Sequence, residues 1–201
     1  MDTRKTVFPT LALLATFSGG FSAPLNAGDL NYSYVEGRFL LDAELDADNF
    51  SENVDGDGIR FGGSFRLSNE FYAFGSYEDD DLEFRNVDID FSLLKLGAGY
   101  ILPINPTWDG NFSFAYGKLE AEAPGVDTDD NGFELSAGAR GMIKPEIELR
   151  GALHYVDYDD SDTYFTLGGD YFFAPNISAG LEIDLGGDYE TMSIGAKYYF
   201  K

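Results

Sequence analysis

The only histidine of the chain, His154, is the residue that comes nearest to catalytic chemistry. Asp157 and Asp159 follow it closely, and an imidazole beside a carboxylate can act as a general base. No Ser/His/Asp spacing, HExxH sequence or other catalytic motif accompanies the histidine. We therefore expect His154 to act only as a hydrogen-bonding residue. The sequence predicts that the protein is not an enzyme, and a hydrolase is the remote alternative.

The segment "DTDDNG" carries the front half of a calcium-loop pattern. Asp127, Asp129 and Asn131 place oxygen ligands at alternate positions, and Gly132 permits the turn. The bidentate glutamate that should close the pattern falls on Gly138 instead. We therefore predict weak divalent-cation binding by an acidic loop, and neither a confident metal site nor a cofactor.

The composition excludes several classes of protein. The 201 residues include 36 acidic and 13 basic ones, which gives a formal net charge of −23. Nucleic acid is excluded as a partner because phosphate contact requires clusters of Lys and Arg. A content of 44% hydrophobic and 16% aromatic residues excludes a disordered acidic chain. The absence of cysteine excludes disulfides and thiolate metal sites.

The N-terminal segment 1–27 has the pattern of a secretory signal peptide. Two basic residues precede an apolar run from Val7 to Phe17, and small residues lead to a predicted cleavage site after Ala27. The remaining segment 28–201 is predicted to form one domain. It contains no apolar run of about 18 residues, so we expect no transmembrane helix.

Alternation of apolar and polar residues is the dominant pattern after the signal peptide. In "ISAGLEIDL", Ile177, Leu181 and Ile183 share one face of a strand, while Glu182 and Asp184 share the other. Such alternation predicts strands with one apolar and one polar face. Ten strands are predicted, at 29–43, 57–67, 70–78, 88–102, 107–119, 131–143, 146–158, 162–173, 176–185 and 189–200.

The connections between the predicted strands are of two alternating kinds. Four are tight turns that carry Pro or Asn, at "SNE", "PINPT", "KPE" and "APN". The other five are acidic, among them "EDDDLEFRNV" and "EAEAPGVDTDD". Short turns at one rim and longer loops at the other are typical of a membrane barrel. We predict an all-β, antiparallel, up-and-down transmembrane barrel of ten strands, with both chain ends on the tight-turn side.

Some of the predicted strands have a weaker pattern. In 88–102 the apolar face moves from Phe91 and Leu93 to Leu94 and Leu96, which indicates a bulge or a strand that projects beyond the bilayer. In "FYAFGSY" both faces are apolar. A barrel of eight strands, in which one weak hairpin is merged or omitted, is therefore the structural alternative.

The charges on the predicted strands favour a membrane barrel over a soluble sheet. In a membrane barrel the apolar faces meet lipid and the polar faces line the lumen. These polar faces carry seven basic and six acidic residues, and near neutrality inside an acidic protein predicts ion pairs. The predicted lumen network consists of Glu36, Arg38, Arg60, Arg66, Lys95, Glu134, Arg140, Glu148, Arg150, Asp170, Glu182, Asp184 and Lys197. Two interfacial aromatic girdles are predicted from Tyr32, Trp108, Tyr116, Tyr155, Tyr171, Tyr189 and Tyr198.

The last strand carries an alternating set of residues, Ile194, Ala196, Tyr198 and Phe200. This set is similar to the C-terminal signature that outer-membrane barrels present to their insertion machinery, although Lys201 follows the final aromatic residue. The first strand "LNYSYVEGRF", the hairpin "GIRFGGSFRLSNEFYAFGSYE" and the late "SAGLEIDL" resemble the small outer-membrane barrels described as quorum-associated factors in xanthomonads. The resemblance covers nearly the whole mature chain and implies no catalytic or ligand residues.

These observations together predict a non-enzymatic protein of the Gram-negative outer membrane, with a structural or surface-interaction role and both termini in the periplasm. The expected partners are outer-membrane lipid and lipopolysaccharide, the insertion machinery, and divalent cations at the acidic loops. The alternative function is a narrow porin-like channel for small solutes or ions. Ten strands favour a closed lumen, because barrels of about eight strands are filled by side chains and open pores have about sixteen.

Overall fold

The computed structural model describes residues 30–45, 54–84, 87–123, 126–158, 160–186 and 189–200. Within these ranges there is no helix, and therefore none that is long and apolar enough to cross a membrane. The predicted signal peptide lies outside the described residues. The ten strands are β1 Tyr34–Leu45, β2 Val54–Arg66, β3 Phe71–Phe84, β4 Val87–Asn105, β5 Trp108–Ala123, β6 Val126–Lys144, β7 Ile147–Asp157, β8 Ser161–Ala174, β9 Ile177–Leu185 and β10 Tyr189–Tyr199.

The ten strands close into one antiparallel barrel. Each strand pairs with its neighbours in chain order, and β1 completes the ring by pairing with β10, where Glu36 lies opposite Lys197. The apolar C-terminal segment is therefore the closing strand, and among the ten described strands the ring leaves no unpaired edge. The prediction of a ten-stranded, all-β, up-and-down barrel is confirmed, and the eight-stranded alternative is wrong.

The two ends of the barrel differ in their connections. At the end that we name the terminal end, β1 starts and β10 finishes, and the tight turns are 67–70, 106–107, 145–146 and 175–176. We name the opposite end the acidic end. There only two residues separate β3 from β4, and two separate β5 from β6.

The acidic segments that were predicted as loops are largely paired strand. β3 continues to Phe84 and β4 begins at Val87, so most of "EDDDLEFRNV" belongs to the sheet. In the same way β5 continues to Ala123 and β6 begins at Val126. Side chains on a strand alternate between its two faces. The carboxylates of these segments are therefore divided between the lumen and the outer surface.

The polarity of the side chains is inverted relative to a soluble sheet. Phe61, Leu181 and Ile183 are 57%, 53% and 38% exposed on the outside of the barrel. Arg60 and Glu182, in contrast, meet inside it. Each of the ten strands carries exposed large apolar side chains on its outer face. Soluble proteins rarely expose apolar patches of more than a few hundred Å², so this belt matches a barrel that is surrounded by lipid.

Strand β4 contains no bulge in the segment where the sequence suggested one. Its pairing continues without a register shift from residue 90 to residue 100 with β3 and from residue 90 to residue 102 with β5. Phe91 and Leu93 therefore point into the barrel at the acidic end, while Leu94 and Leu96 point outward. At 19 residues, β4 is longer than the roughly 9–11 residues that a bilayer requires.

A small apolar cluster closes the terminal end. β1 begins five residues later than predicted, and the preceding Leu30 and Tyr32 pack against Ile101 inside the barrel mouth, with Tyr72 and Met142 beside them. We name these five residues the terminal plug. Tyr32 is only 3% exposed, so its assignment to an interfacial girdle is wrong. The inward position of Tyr72 also explains why both faces of β3 are apolar.

The other predicted girdle residues occupy different positions. Three of them are exposed on the outer face of the barrel, namely Tyr116, Tyr155 and Tyr171. Trp108 and Tyr198 are half-buried. The side chain of Tyr189 lies outside the described part of the chain.

Candidate functional site

The thirteen residues of the predicted lumen network all lie at inward-facing positions of their strands. Each of them is buried or half-buried. The period of two that turns apolar residues outward also turns these residues inward. Their contacts fall into three groups, which are a central layer, a cluster around the histidine, and a pair at the terminal end.

Glu182 of β9 is the centre of the first group. Its carboxylate accepts hydrogen bonds from Arg60 of β2 at 3.1 Å and from Arg150 of β7 at 2.7 Å. The guanidinium of Arg38 on β1 lies 3.7 Å away. Strands β1 and β10 lie between β2 and β9, so the contact of Arg60 with Glu182 crosses the lumen. The residues that meet here form the central ion-pair layer: Glu36, Arg38, Arg60, Arg150, Asp170, Glu182, Asp184 and Lys197.

The other carboxylates of the central layer are also shared between cations. Asp170 accepts a hydrogen bond from Lys197 at 3.0 Å and another from Arg150. Glu36 accepts one from Arg38 at 3.1 Å and lies 3.9 Å from Lys197. Burying an ion costs several kcal/mol unless it is well paired and hydrogen-bonded. The sharing of partners lowers this cost and holds the side chains across the lumen.

The second group surrounds His154 on β7. Its Nδ1 lies 2.8 Å from Glu134 Oε1, and the other oxygen of that carboxylate accepts a hydrogen bond from Lys95 Nζ at 3.0 Å. The imidazole stacks on the Tyr164 ring, with 4.4 Å between the ring centroids. Asp157, expected beside the histidine, occupies an outward position of the same strand, and Asp159 lies outside the described residues. The carboxylate that contacts His154 therefore comes from the neighbouring strand β6.

Thr166 extends this group towards the central layer. Its Oγ1 lies 3.1 Å from His154 Nε2 and donates a hydrogen bond to Asp184 Oδ1 at 2.5 Å. Threonine, histidine and glutamate are residue types of a catalytic triad, in which the base must accept the proton of the nucleophile. Here the hydroxyl donates to Asp184 instead of to the imidazole. The arrangement therefore favours a structural hydrogen-bond chain.

The third group lies at the terminal end. Arg140 donates a hydrogen bond to Glu148 at 2.7 Å, and its guanidinium lies 4.6 Å from the centroid of the Tyr32 ring. The guanidinium of Arg66 lies 5.3 Å from the centroid of the same ring, and Arg66 donates a hydrogen bond to the Leu30 carbonyl at 3.3 Å. A cation over an aromatic ring is attracted by the ring quadrupole. Two arginines therefore fix the terminal plug to the barrel wall.

Sequence reasoning missed two buried acidic residues of β3. Glu78 was grouped with Asp79 and Asp81 in an acidic loop, but it is 4% exposed and forms an ion pair with Arg60. Asp80 is buried as well. The signal was present, because the period of two that begins at Tyr72 continues through both residues.

The candidate cation segment is strand and not loop. Asp127, Asp129 and Asn131 lie on β6, where residues two apart are separated by about 6.6 Å along the strand. Asn131 accepts a hydrogen bond from Tyr116 at 2.9 Å. The prediction of a loop is corrected accordingly. Among the described residues, no group of three or more His, Cys, Asp or Glu side chains is arranged to hold a metal ion.

Acidic residues instead form a row around the outside of the acidic end. Asp57, Asp81, Asp90 and Glu122 lie directly opposite one another on β2, β3, β4 and β5, and all four are exposed. We name them the outer acidic row. The row lies beyond Tyr77, the last large apolar residue on the outer face of β3. Partial desolvation, and next the carboxylates of Asp90 and Asp79, raise the pKa of Asp81.

The C-terminal residues close the ring at the terminal end. Tyr198 is paired with Val35 of β1, and the backbone N–H of Phe200 donates to the Ser33 carbonyl at 2.9 Å. The Phe200 ring stacks on Phe65 with 6.4 Å between the centroids. Both aromatic side chains are half-buried.

Comparison with known proteins adds fold similarity only. The chain matches no family model and no curated protein. Solved structures similar to it include the KdgM porin, with 15% identity, a TM-score of 0.48, and coverage of 84% of this chain and 99% of that one. Ail, the attachment invasion locus protein of Yersinia pestis, has 17% identity and a TM-score of 0.44, with coverage of 84% and 97%. Neisserial surface protein A has 13% identity and a TM-score of 0.47, with coverage of 83% and 96%.

These three structures are outer-membrane β-barrel proteins. The resemblance to the xanthomonad quorum-associated group is not confirmed by them. Because the identities are below 25% and the TM-scores below 0.5, no function of those proteins is transferred to this chain.

Proposed function

We propose that this protein is a non-enzymatic barrel of the Gram-negative outer membrane, with a closed lumen and a structural or surface-interaction role. The observation that carries the proposal is the meeting of Arg38, Arg60 and Arg150 at Glu182. These side chains come from three strands and cross the lumen at a single level. An open channel would instead keep such charges solvated along the wall.

The terminal plug supports a closed lumen at a second level. Leu30 and Tyr32 fill the mouth of the barrel at the terminal end. Between this plug and the level of Glu182 and His154 there is a cavity of about 250 Å³. A cavity between two layers of side chains is compatible with a stoppered barrel of ten strands.

Insertion into a membrane is tested by heat-modifiable migration. Folded barrels of this kind resist unfolding in detergent because every backbone polar group is paired within the ring. We expect unboiled protein to migrate faster on a gel than boiled protein. Identical migration of the two samples, together with recovery of the protein in the soluble fraction, would contradict the membrane assignment.

The proposed orientation places both termini in the periplasm and the acidic end outside the cell. The chain contains no cysteine, so a single introduced cysteine is the only thiol of the protein that a maleimide can label. In intact cells, a membrane-impermeant maleimide should label the Asp129→Cys variant and leave the Glu70→Cys variant unlabelled. The opposite pattern would reverse the orientation.

The closed lumen is tested by conductance in planar bilayers. We expect no steady openings from the wild-type protein and measurable openings from Glu182→Ala, because that change removes the carboxylate with which three arginines form ion pairs. Asp79→Ala, on the outer face of β3, is the matched control and should remain silent. Steady openings of the wild-type protein would support the narrow porin-like channel and overturn the closed barrel.

The surface-interaction part of the proposal involves the outer acidic row. Its carboxylates lie just beyond the apolar belt, at the level where phosphate groups of lipopolysaccharide would lie. We propose that divalent cations bridge the two sets of anions. Calcium should raise the melting temperature of the protein in lipopolysaccharide bilayers by more than in zwitterionic lipid. Equal responses in the two lipids would exclude bridging.

The C-terminal strand is proposed to be the contact with the insertion machinery. Tyr198 and Phe200 supply the alternating aromatic residues, and Lys201 is an addition to the usual pattern. Phe200→Ala should lower the yield of heat-modifiable protein in cells without changing refolding in detergent. An equal loss of folded protein in cells and in detergent would indicate that Phe200 contributes to stability alone.

A further inference from the structure

A second cavity, which we name the acidic-end pocket, lies above the cluster of His154. Its volume is about 260 Å³. Its walls are apolar side chains from three strands, namely Phe91 and Leu93 of β4, Leu119 of β5 and Val156 of β7. These side chains face the lumen, next to the charged residues of the central ion-pair layer.

The apolar walls require an explanation because they are not covered by lipid. Apolar surface in contact with water costs about 25 cal/mol per Å². Polar residues lining a water-filled mouth of the barrel would avoid this cost. Leu93 and Leu119 lie directly opposite each other on adjacent strands, so they form one continuous apolar surface. Such concave apolar surfaces with a few polar groups are typical of sites for small ligands.

Tyr158 completes the pocket from the β7–β8 connection. Its ring lies against Gly117 and Gly132, where a methyl group on either glycine would overlap the ring. These glycines are paired across β5 and β6, and they form a notch that holds the ring in place. Tyr158 lines the pocket, and its hydroxyl lies against Gly117, buried without a hydrogen-bond partner among the described residues.

The charge of the pocket selects the kind of ligand. Two cations line the pocket, Arg60 and Lys95, against four carboxylates, Glu78, Glu134, Asp162 and Asp184. The formal charge of the lining is therefore −2, and the outer acidic row lies around the same end. An anionic ligand would meet repulsion from both, whereas a cationic one would be attracted.

We propose that the acidic-end pocket binds a small amphiphile that has an apolar alkyl or aryl body and one protonated amine. The body packs against Phe91, Leu93 and Leu119, and the amine faces the carboxylates at the base. This binding site does not depend on the orientation of the barrel, nor on whether the lumen conducts. The binding test can therefore fail while the proposed function stands, and the proposed function can fail while the binding test succeeds.

The test compares three probes that share one body. 4-Phenylbutylammonium, 4-phenylbutanol and 4-phenylbutanoate differ mainly in charge, and calorimetry on the purified barrel in a zwitterionic detergent gives the Kd of each. We expect the ammonium to bind about tenfold more tightly than the alcohol, and the carboxylate to bind most weakly. Equal affinities of the three probes, or tightest binding of the carboxylate, would overturn the proposal.

Two double variants locate the site. Leu93→Ala/Leu119→Ala removes apolar wall and should weaken binding of the ammonium by about tenfold. Leu94→Ala/Leu96→Ala removes the same groups from the outer face of β4 and should leave the Kd unchanged. Heat-modifiable migration verifies that both variants are folded. An equal loss of affinity in the two variants would show association with the outer surface or the detergent, and would overturn the site.

Discussion

The ion pair Arg140–Glu148 at the terminal end and the ion pair Lys118–Glu120 at the acidic end lie in opposite environments. At the terminal end the side chains of Arg140 and Glu148 are 9% and 2% exposed. At the acidic end Lys118 pairs with Glu120 while the two side chains are 41% and 50% exposed. The first pair contributes by satisfying buried charge, whereas an exposed pair contributes little.

The apolar groups of the two ends differ in the same direction. The terminal plug fills its mouth with Leu30, Tyr32 and Ile101, but the apolar walls formed by Leu93 and Leu119 surround an open volume of about 260 Å³. One end is thus built as a packed core and the other as a receptacle. Stability of this barrel should therefore depend on the terminal end, and ligand contact on the acidic end.

The largest expected effect comes from breaking the buried pair of the terminal end. Glu148→Ala leaves the Arg140 charge buried without its carboxylate and should lower the free energy of unfolding by about 3–5 kcal/mol. Urea titration of the refolded barrel in lipid vesicles measures this change. Glu120→Ala at the acidic end is the matched control, and no measurable loss is expected from it. Equal losses from the two variants would remove the distinction between the ends.

A smaller effect is expected from opening the terminal plug. Tyr32→Ala removes a buried ring that contacts two arginines and should cost about 3 kcal/mol. Tyr32→Phe keeps the ring. It should be nearly neutral, because the Tyr32 hydroxyl is buried without a hydrogen-bond partner among the described residues. Urea titration of both variants measures their free energies of unfolding. If Tyr32→Phe lowered this free energy as much as Tyr32→Ala, packing of the ring would not be the cause of the stabilisation.

The fold could be predicted from the sequence because one pattern determines it. An alternation of period two fixes which residues face lipid, and Arg60, Glu182 and Lys197 followed from it without knowledge of any contact. The closing pair of β1 and β10 followed as well, since the apolar C-terminal segment had to be paired.

The details of the lumen could not be predicted in the same way. Alternation assigns Glu134 and His154 to the interior, but the partner of each depends on the stagger between strands and on side-chain length. The terminal plug was missed because Tyr32 continues the alternation of β1 in the sequence. Only the three-dimensional structure shows that β1 starts after it, at Tyr34. Charge gave a misleading signal at the acidic end, where "EDDDLEF" was interpreted as loop although its neighbours allow pairing.

The smallest expected effect concerns repulsion within the outer acidic row. Asp81 and Asp90 are directly opposite each other on β3 and β4, and like charges in that position destabilise a sheet by roughly 0.2–1 kcal/mol. Asp81→Asn should therefore raise the free energy of unfolding by an amount in this range at low salt. High salt should abolish the gain, because it screens exposed charges. Glu70→Gln, in an exposed turn at the terminal end, is the matched control and should change nothing.

The same variant gives the sign of a pH dependence. Because the pKa of Asp81 is raised in the folded protein, the folded state holds this proton more readily than the unfolded chain, and stability falls as pH rises through that pKa. On acidification from neutral pH to about pH 4, the ordinary pKa of an aspartate, the wild-type protein should gain stability relative to Asp81→Asn. The lumen carboxylates titrate in both proteins and cancel in the difference, which urea titrations at the two pH values measure. If the difference in free energy of unfolding between the two proteins stays constant with pH, or changes at low pH in favour of the variant, the carboxylates of the outer acidic row are already neutralised in the wild-type protein. Charge repulsion would then destabilise the acidic end no more than the terminal end.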